Sequence, residues 1–478
     1  MALLWASLTA ATVGGEPPPV GAWPCWRGPL GGGVAPDPGV KLVDDFSKAR
    51  LVWTSADQIP YGYETRGGWQ GGYASPVVAD GRVYLGYVRP HGRQVFDMTE
   101  EDKKDLGGNN QRGMTLSAPW RLQHGNDVIH CFDAATGETL WRFVDERGLM
   151  NRCESGHFTC SVHAGRVCMF GSTGRLYCAH AASGKLAWAV FLDEKNQDAF
   201  ERSKAAGKSV FNLNNFYNTP GAADGVVAIV AGGARGFDLE TGKELWTAKV
   251  SAGKNAFPVL WVHGGKTYFI IGDSCVEPRT GKVLWRIPDA ATTSSPVVHG
   301  DYYICNGMYG IATDGPKKGY RTTIAGSTCF RITPERFEKL WSLPADRHPA
   351  MGCSDVICGN YFLQASDDGE DSRNTLVVEL ATGKVVATIP DTFRTLGYSP
   401  LSCQNMVFGG LYGLSHWKIE PGGFQVIGSS WGIGKDKKDR KLYKGVGWSV
   451  GCSPALVGAR MYFRTKDRLV CYDLRANP

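Results

Sequence analysis

Apolar and polar positions alternate with a period of two over short stretches of this chain, and no long stretch carries the 3.6-residue period of an amphipathic helix. In Asp127-Val-Ile-His-Cys-Phe-Asp133, Val128, His130 and Phe132 alternate with Ile129 and Cys131, as in a strand with two different faces. Asp133 to Gly137 is turn chemistry, because Asp and Thr bond their own backbone and Gly137 takes positive φ without steric cost. A second strand, Thr139 to Phe143, carries Trp141 near its end. The pattern predicts a hairpin.

The hairpin recurs. Leu176 to Trp188, Gly236 to Trp246, Cys275 to Trp285 and Phe330 to Trp341 are copies, and Leu376 to Thr388 is a copy without the tryptophan. The tryptophans are spaced 47, 58, 39 and 56 residues apart, the irregular period of stacked β-units with loops of variable length. Each hairpin is preceded by a small residue and proline, an apolar run, a Gly or Asp-Gly turn and a second apolar run, as in Ser75-Pro-Val-Val-Ala-Asp-Gly-Arg-Val-Tyr-Leu85. Proline is tolerated at the first residue of a strand, where no ladder donor is lost. Each repeat is therefore four antiparallel strands, one propeller blade. Openings at positions 75, 159, 219, 258, 295, 354, 399 and 453 predict eight blades. The last repeat stops at Leu474, before any tryptophan strand, while Ala49-Arg-Leu-Val-Trp53 precedes the first. The expected fold is an all-β, eight-bladed β-propeller, closed by an N-terminal strand that completes the last blade and leaves no open edge.

This assigns residues 49–478 to one ring, although length alone would suggest several domains. Residues 1–15 are apolar with small residues at the end, too short to span a membrane, and are expected to be a signal peptide. Residues 16–48 are rich in Pro and Gly and are expected to form an extended arm, with Trp23 and Trp26 covering the side or a face of the ring. Among the 14 cysteines, Cys153/Cys160, Cys168/Cys178 and Cys353/Cys358 are close enough in sequence to pair in an oxidising compartment. Others, such as Cys131, Cys305 and Cys471, read as buried small hydrophobes. No Cys-x-x-Cys or His-Glu-x-x-His spacing points to zinc.

The opening Trp23-Pro-Cys-Trp-Arg-Gly-Pro29, followed by Ser-Pro-Val-Val and Asp-x-x-Thr-Gly-x-x-Leu-Trp repeats, resembles the PQQ-like (pyrroloquinoline-quinone-like) β-propeller repeat proteins of exported bacterial proteomes. The resemblance covers nearly all of the chain after residue 20 and is specific for fold rather than function. It implies one of two roles. One is a quinoprotein dehydrogenase with PQQ and calcium on the axis; the other is a non-catalytic scaffold that binds partner proteins.

In a propeller, the loops that lead into the inner strands gather at one end of the axis and form a funnel. Here they supply Trp69, Gln70, Tyr73, Glu154, His157, Asn215, Asn218, Asn255, Arg347, His348, Arg394, Tyr398 and Trp448 as candidate ligand-binding residues. Arg347 and Arg394 favour an acidic or hydroxyl-rich ligand, because guanidinium forks match paired oxygens. If calcium is bound, Glu154, Asn215 and Asn218 are its implied ligands, since calcium takes hard oxygens. The adjacent cysteines that the resemblance implies for an alcohol-type enzyme are missing. So is a carboxylate in Ser251-Ala-Gly-Lys-Asn-Ala-Phe257, where the catalytic base would sit. No Gly-x-Gly-x-x-Gly lies between strand and helix, and the mixed-sign run Lys435 to Lys441 reads as a solvated insertion, so neither nucleotide nor nucleic acid is expected. The net charge of +6 on a chain this long does not alter that. The expectation is a monomeric, exported (periplasmic or secreted), non-catalytic propeller without cofactor or transmembrane segment, binding a protein or a small polar or acidic ligand. The alternative is a PQQ- and calcium-dependent dehydrogenase.

Overall fold

The structure, a computed structural model, describes residues 21–29, 31–59, 74–90, 124–149, 158–206, 210, 219–253, 256–290, 295–311, 321–345, 355–365, 374–389, 400–409, 414–420, 423–429, 441–442, 452–465 and 467–476. The period-2 stretches form four-stranded antiparallel sheets arranged as eight propeller blades. Their inner strands are Val77–Ala79, Ser161–His163, Gly221–Ala223, Val259–His263, Val297–His299, Val356–Cys358, Leu401–Cys403 and Ala455–Val457, defining blades 1 to 8. Each begins close to the small-residue and proline signal that predicts it. The closing strand Arg50–Thr54 pairs antiparallel with Leu469–Asp473, setting Leu51 opposite Tyr472 and Trp53 opposite Cys471. Blade 1 carries a long insertion between its second and third strands, Arg82–Pro90 and His124–Asp133. Blade 5 carries an added two-stranded ribbon, Met308–Ile311 with Arg321–Ala325. A short strand, Lys441–Leu442, runs parallel to the outer strand of blade 7.

The core lies between blades rather than around one centre. Phe170, Leu176 and Trp188 of blade 2 pack on Ala222, Ile229 and Leu239 of blade 3, and comparable clusters join the following pairs. The repeated tryptophan makes the joint. Trp188 Nε1 donates to Leu239 O (2.9 Å) and Trp341 Nε1 to Leu380 O (2.7 Å), each reaching the hairpin turn of the next blade. Trp53, Trp141, Trp246 and Trp285 make the same bond to Ala134, Ala181, Pro278 and Thr333. The turn glycine is required there: a Cβ on Gly137, at φ +77°, would lie 2.5 Å from the Trp53 ring. Truncating Trp341 to Ala should cost about 3–5 kcal/mol through lost transfer energy and a cavity, read as a lower denaturant midpoint at unchanged slope. An unchanged midpoint would show that the indole is not a joint.

The cross-strand partner of the tryptophan is a cysteine in blades 1, 2, 4, 5 and 8 (Cys131, Cys178, Cys275, Cys329, Cys471). A small apolar side chain is what fits beneath an indole, which accounts for much of the cysteine content. Burial pushes the Cys131 and Cys471 thiols up to about 12. Of the pairings considered above, Cys168 and Cys178 stand opposite one another, yet both are free thiols, as are Cys160 and Cys358. Cys153 and Cys353 lie outside the described residues.

Buried histidines give the fold its acid limit. His130 bonds Tyr87 Oη (3.2 Å) and Thr139 Oγ1 (2.7 Å), and burial, helped by the Arg142 charge, holds it down to about 3. His416 Nδ1 accepts Phe46 N (3.2 Å), and burial holds it down to about 4. Both are neutral in the fold, whereas the unfolded chain protonates them near 6.5. Their contribution is complete above pH 6.5 and is lost as pH falls towards 4, about 3–5 kcal/mol each as an order of magnitude. Asp127 opposes this. Buried beneath Ser172 and Tyr177, its carboxyl is raised to about 6, so the fold binds that proton more tightly and gains as pH falls from 6. Urea melts from pH 7 to 4.5 should show a net loss of stability that becomes shallower in His416→Gln; an unchanged slope in that variant would refute the assignment.

Candidate functional site

The funnel candidates from the sequence, Trp69, Gln70, Tyr73, Glu154, His157, Asn215, Asn218, Asn255, Arg347, His348, Arg394, Tyr398 and Trp448, all lie outside the described residues. The described residues at that end of the axis are the beginnings of the inner strands and, between them, the N-terminal arm. The arm does not lie on the side or a face of the ring; Trp23 and Trp26 are buried among the inner strands. The physical reason is available area: inner strands present unpaired edges to the axis, and the arm pairs with them.

Its path can be followed bond by bond. Trp23 exchanges both backbone bonds with Val78 of blade 1 (2.7 and 2.8 Å), and Pro24 O accepts Val162 N of blade 2 (2.7 Å). Trp26 then spans the ring. Its Nε1 donates to Ser453 Oγ of blade 8 (3.1 Å), while its ring lies 4.5 Å from that of Phe257, which leads into blade 4. Arg27 Nη2 donates to Asp355 O at the start of blade 6 and to Gly32 O (3.3 Å). Beyond the turn the chain returns along the axis, and Gly33 O and Ala35 N bond Ser402 of blade 7 (both 2.7 Å). Gly32 passes so close to blade 5 that a Cβ would stand 2.4 Å from Val298 O. The arm leaves beside blade 8, where Val43 N donates to Leu474 O (2.7 Å), and Phe46 packs on Phe463 and Tyr472.

The turn at Trp26 and Arg27 lies beside the starts of the inner strands of blades 8, 4 and 6. Burial lowers the Arg27 guanidinium to about 10, with the nearby Asp355 carboxylate opposing, so it remains a cation at neutral pH. A buried charge of this kind is costly unless it is paired and hydrogen-bonded. Hydroxyls join neighbouring blades at the same level: Ser453 N donates to Ser75 Oγ (2.8 Å), Ser75 N to Thr159 Oγ1 (3.0 Å) and Phe257 N to Ser295 Oγ (2.9 Å). The sequence reading used these Ser-Pro and Thr signals for their proline and passed over the hydroxyls. It also missed Trp26 and Arg27 as axial residues, although their motif was in view.

Residues 125–309 match the family model described as the outer membrane protein assembly factor BamB (PQQ_2). Among solved structures, a europium-containing methanol dehydrogenase is 11% identical, with 95% of this chain and 98% of that chain covered and a TM-score of 0.53. The quinohemoprotein alcohol dehydrogenase of Comamonas testosteroni is 11% identical, covering 96% of this chain and 81% of that chain at 0.51. The stretch matched by the family model is similar to that family, and the chain as a whole has the fold of an eight-bladed β-propeller. The BamB of Moraxella catarrhalis is 13% identical, covering 73% of this chain and 90% of that chain, with a TM-score of 0.48. No curated protein matches the chain. At such identities the likeness extends to the fold alone.

The donor set of this propeller bears on what its axis could hold. Among the described residues no three of His, Cys, Asp and Glu gather to hold a metal, and Glu154, Asn215 and Asn218 lie outside them. The Arg27 guanidinium has the buried Asp355 carboxylate as its counter-charge, so this pair is neutral overall. One carboxylate does approach the loop in which the sequence lacks a base: Asp273 Oδ1 accepts Ser251 N (3.1 Å) and Ser274 Oγ (2.6 Å). Those bonds tie it to the loop between blades 3 and 4 as a structural anchor. Among the described residues no helix is long and apolar enough to cross a membrane.

Proposed function

We propose that this propeller is an exported, monomeric, non-catalytic binding protein that uses its funnel to hold a protein partner or a small polar or acidic ligand. The observation that supports this most is the arm. Trp23, Pro24, Trp26, Arg27, Gly33 and Ala35 bond to residues in or beside the inner strands of blades 1, 2, 8, 6 and 7, so the chain occupies its own axis. The loop segments that precede the inner strands in sequence are rich in Asn, aromatic, His and Arg residues, a composition suited to docking. Nucleic acid finds no basic stripe in the sequence.

The competing reading is a PQQ- and calcium-dependent dehydrogenase, with Glu154, Asn215 and Asn218 as the metal ligands. Titration of the purified full chain with PQQ and calcium, followed by absorption and by dye-linked alcohol oxidation, separates the two. No turnover is expected. Tight PQQ binding with alcohol oxidation that disappears in Glu154→Gln would overturn the binding-protein reading.

A further inference from the structure

One sheet among the described residues belongs to no blade. The ribbon of Met308–Ile311 with Arg321–Ala325 stands between the second and third strands of blade 5, and its two strands form a sheet of their own. The short strand Lys441–Leu442, by contrast, lies on the outer edge of blade 7. Antiparallel strands alternate in direction, so the connection between second and third strands emerges at the same end of the ring as the loops that enter the inner strands. The base of the ribbon agrees: Met308 bridges Ala290, and Tyr309 N donates to Asp289 O (2.8 Å), both in the segment leading from blade 4 into blade 5. One side of the ribbon is thus covered at its base. Among the described residues the other side, along Arg321–Ala325, has no ladder.

A two-stranded ribbon is marginal alone, and an open edge is a template that proteins ordinarily guard with proline or charge. From Thr322 to Ala325 this edge carries neither. Thr322, Thr323 and Ile324 are instead three β-branched residues in a row, which strands favour. Ile311 and Ile324 are 62% and 57% exposed, more than any other large aliphatic residue among the described ones. Gly310 makes room for this: a Cβ there would stand 2.8 Å from Ile324 Cδ1, so the isoleucine lies across the ribbon and is still open to solvent. In sequence, residues 312–320, which join the two strands, hold Lys317 and Lys318 against Asp314. An open edge is matched by another backbone, exposed isoleucines by apolar side chains, and a surplus of lysine by acidic ones. We infer that the ribbon is a docking edge, to which an extended segment of a partner protein, alternating apolar and acidic residues, adds as a third strand along Arg321–Ala325. This names the class of partner for the binding function proposed above and rests on that reading, while using a surface that the repeats do not supply.

The test is fluorescence anisotropy of a labelled nonapeptide, valine alternating with glutamate, titrated with the full chain. Saturable binding is expected, and the counterpart with lysine for glutamate should bind about tenfold or more weakly. Alternate amides of a strand point to the same edge, so N-methylation of one alternate set should abolish binding, while N-methylation of the other leaves it within about threefold. Replacing both exposed isoleucines, Ile311→Ser with Ile324→Ser, should weaken binding about tenfold or more at an unchanged denaturant midpoint. If that variant does not fold, the two N-methylated peptides decide. Absence of saturable binding by the unaltered chain overturns the inference, and so does equal tolerance of the two methylation patterns, which no ladder would show. Binding that survives the isoleucine replacements but is lost in Arg347→Ala or Arg394→Ala also overturns it; that result moves the peptide into the loops and leaves the binding function standing. A dimer on gel filtration that Ile324→Ser dissolves overturns it by giving the edge to a second copy of this chain. Alcohol oxidation with PQQ would instead sink the binding function and leave the ribbon to be judged by its own titration.

Discussion

Replacing Arg50–Thr54 with a flexible linker of equal length is expected to abolish cooperative unfolding of the whole chain. The substitution removes the ladder to Leu469–Asp473 and the Trp53 bond to Ala134 O, and so opens blade 8 on one side and its joint to blade 1 on the other. The indole alone is worth about 3–5 kcal/mol, against a total stability of about 5–15 kcal/mol for a typical domain. The strand lost also leaves a free sheet edge, a template for association. Calorimetry should show a broad, weak transition, and gel filtration should show self-association. A sharp transition within a few degrees of the unaltered chain would mean that the ring does not depend on its closing strand.

The second large effect is expected from a single methyl group. Gly32→Ala places a Cβ 2.4 Å from Val298 O, a backbone atom that cannot move without shifting the inner strand of blade 5. Overpacking of this kind costs about 3 kcal/mol. The control is Gly21→Ala, at the start of the arm, where a Cβ meets nothing within 4 Å and the change should stay within about 0.5 kcal/mol. Equal midpoints for the two variants in a denaturant titration would show that the arm does not run through the axis.

The ring was legible in the sequence because its signals are local and repeated. A period of two, a Ser-Pro opening and an Asp-x-x-Thr-Gly turn each act over a few residues, and a tryptophan near the end of the hairpin ties each unit to the next. The orphan strand before Trp53 was legible for the same reason. The arm was not, because its fold comes from bonds to Val78, Ser402, Ser453 and Leu474, scattered along the chain and carrying no period. Read locally, Trp23 to Gly33 has neither strand nor helix pattern, and a surface location is the simplest cover for its tryptophans. The buried positions of Trp26 and Arg27 escaped with it. Arg27 is charged, and an isolated arginine gives no sign that it will be buried; its burial follows from the turn that returns the chain past Gly32.

The joints between blades show where the arm matters most. At the position held elsewhere by tryptophan, blade 6 has Ala387 and blade 7 has Gly428, so the joints of blade 7 to its two neighbours lack the indole bond. The arm runs along this sector, bonding Ser402 and placing Phe46 against Phe408 and Phe463. It stands in for two missing joints.

This arrangement has a consequence for the order of events during synthesis. The segment made first is the one whose partners are completed last: Trp23 needs blade 1, but Trp26 needs Ser453 and Val43 needs Leu474. Blades 1 to 6 can form in succession through contacts with the blade just made, whereas the arm must wait for nearly the entire chain. Contacts that span such separations form slowly, and the waiting segment exposes two indoles to association. The arm's contacts are complete only once the last blades are in place. A chain cut short by one blade therefore loses more than that blade: Trp26 lacks its partner on blade 8, and the closing strand has nothing to pair with.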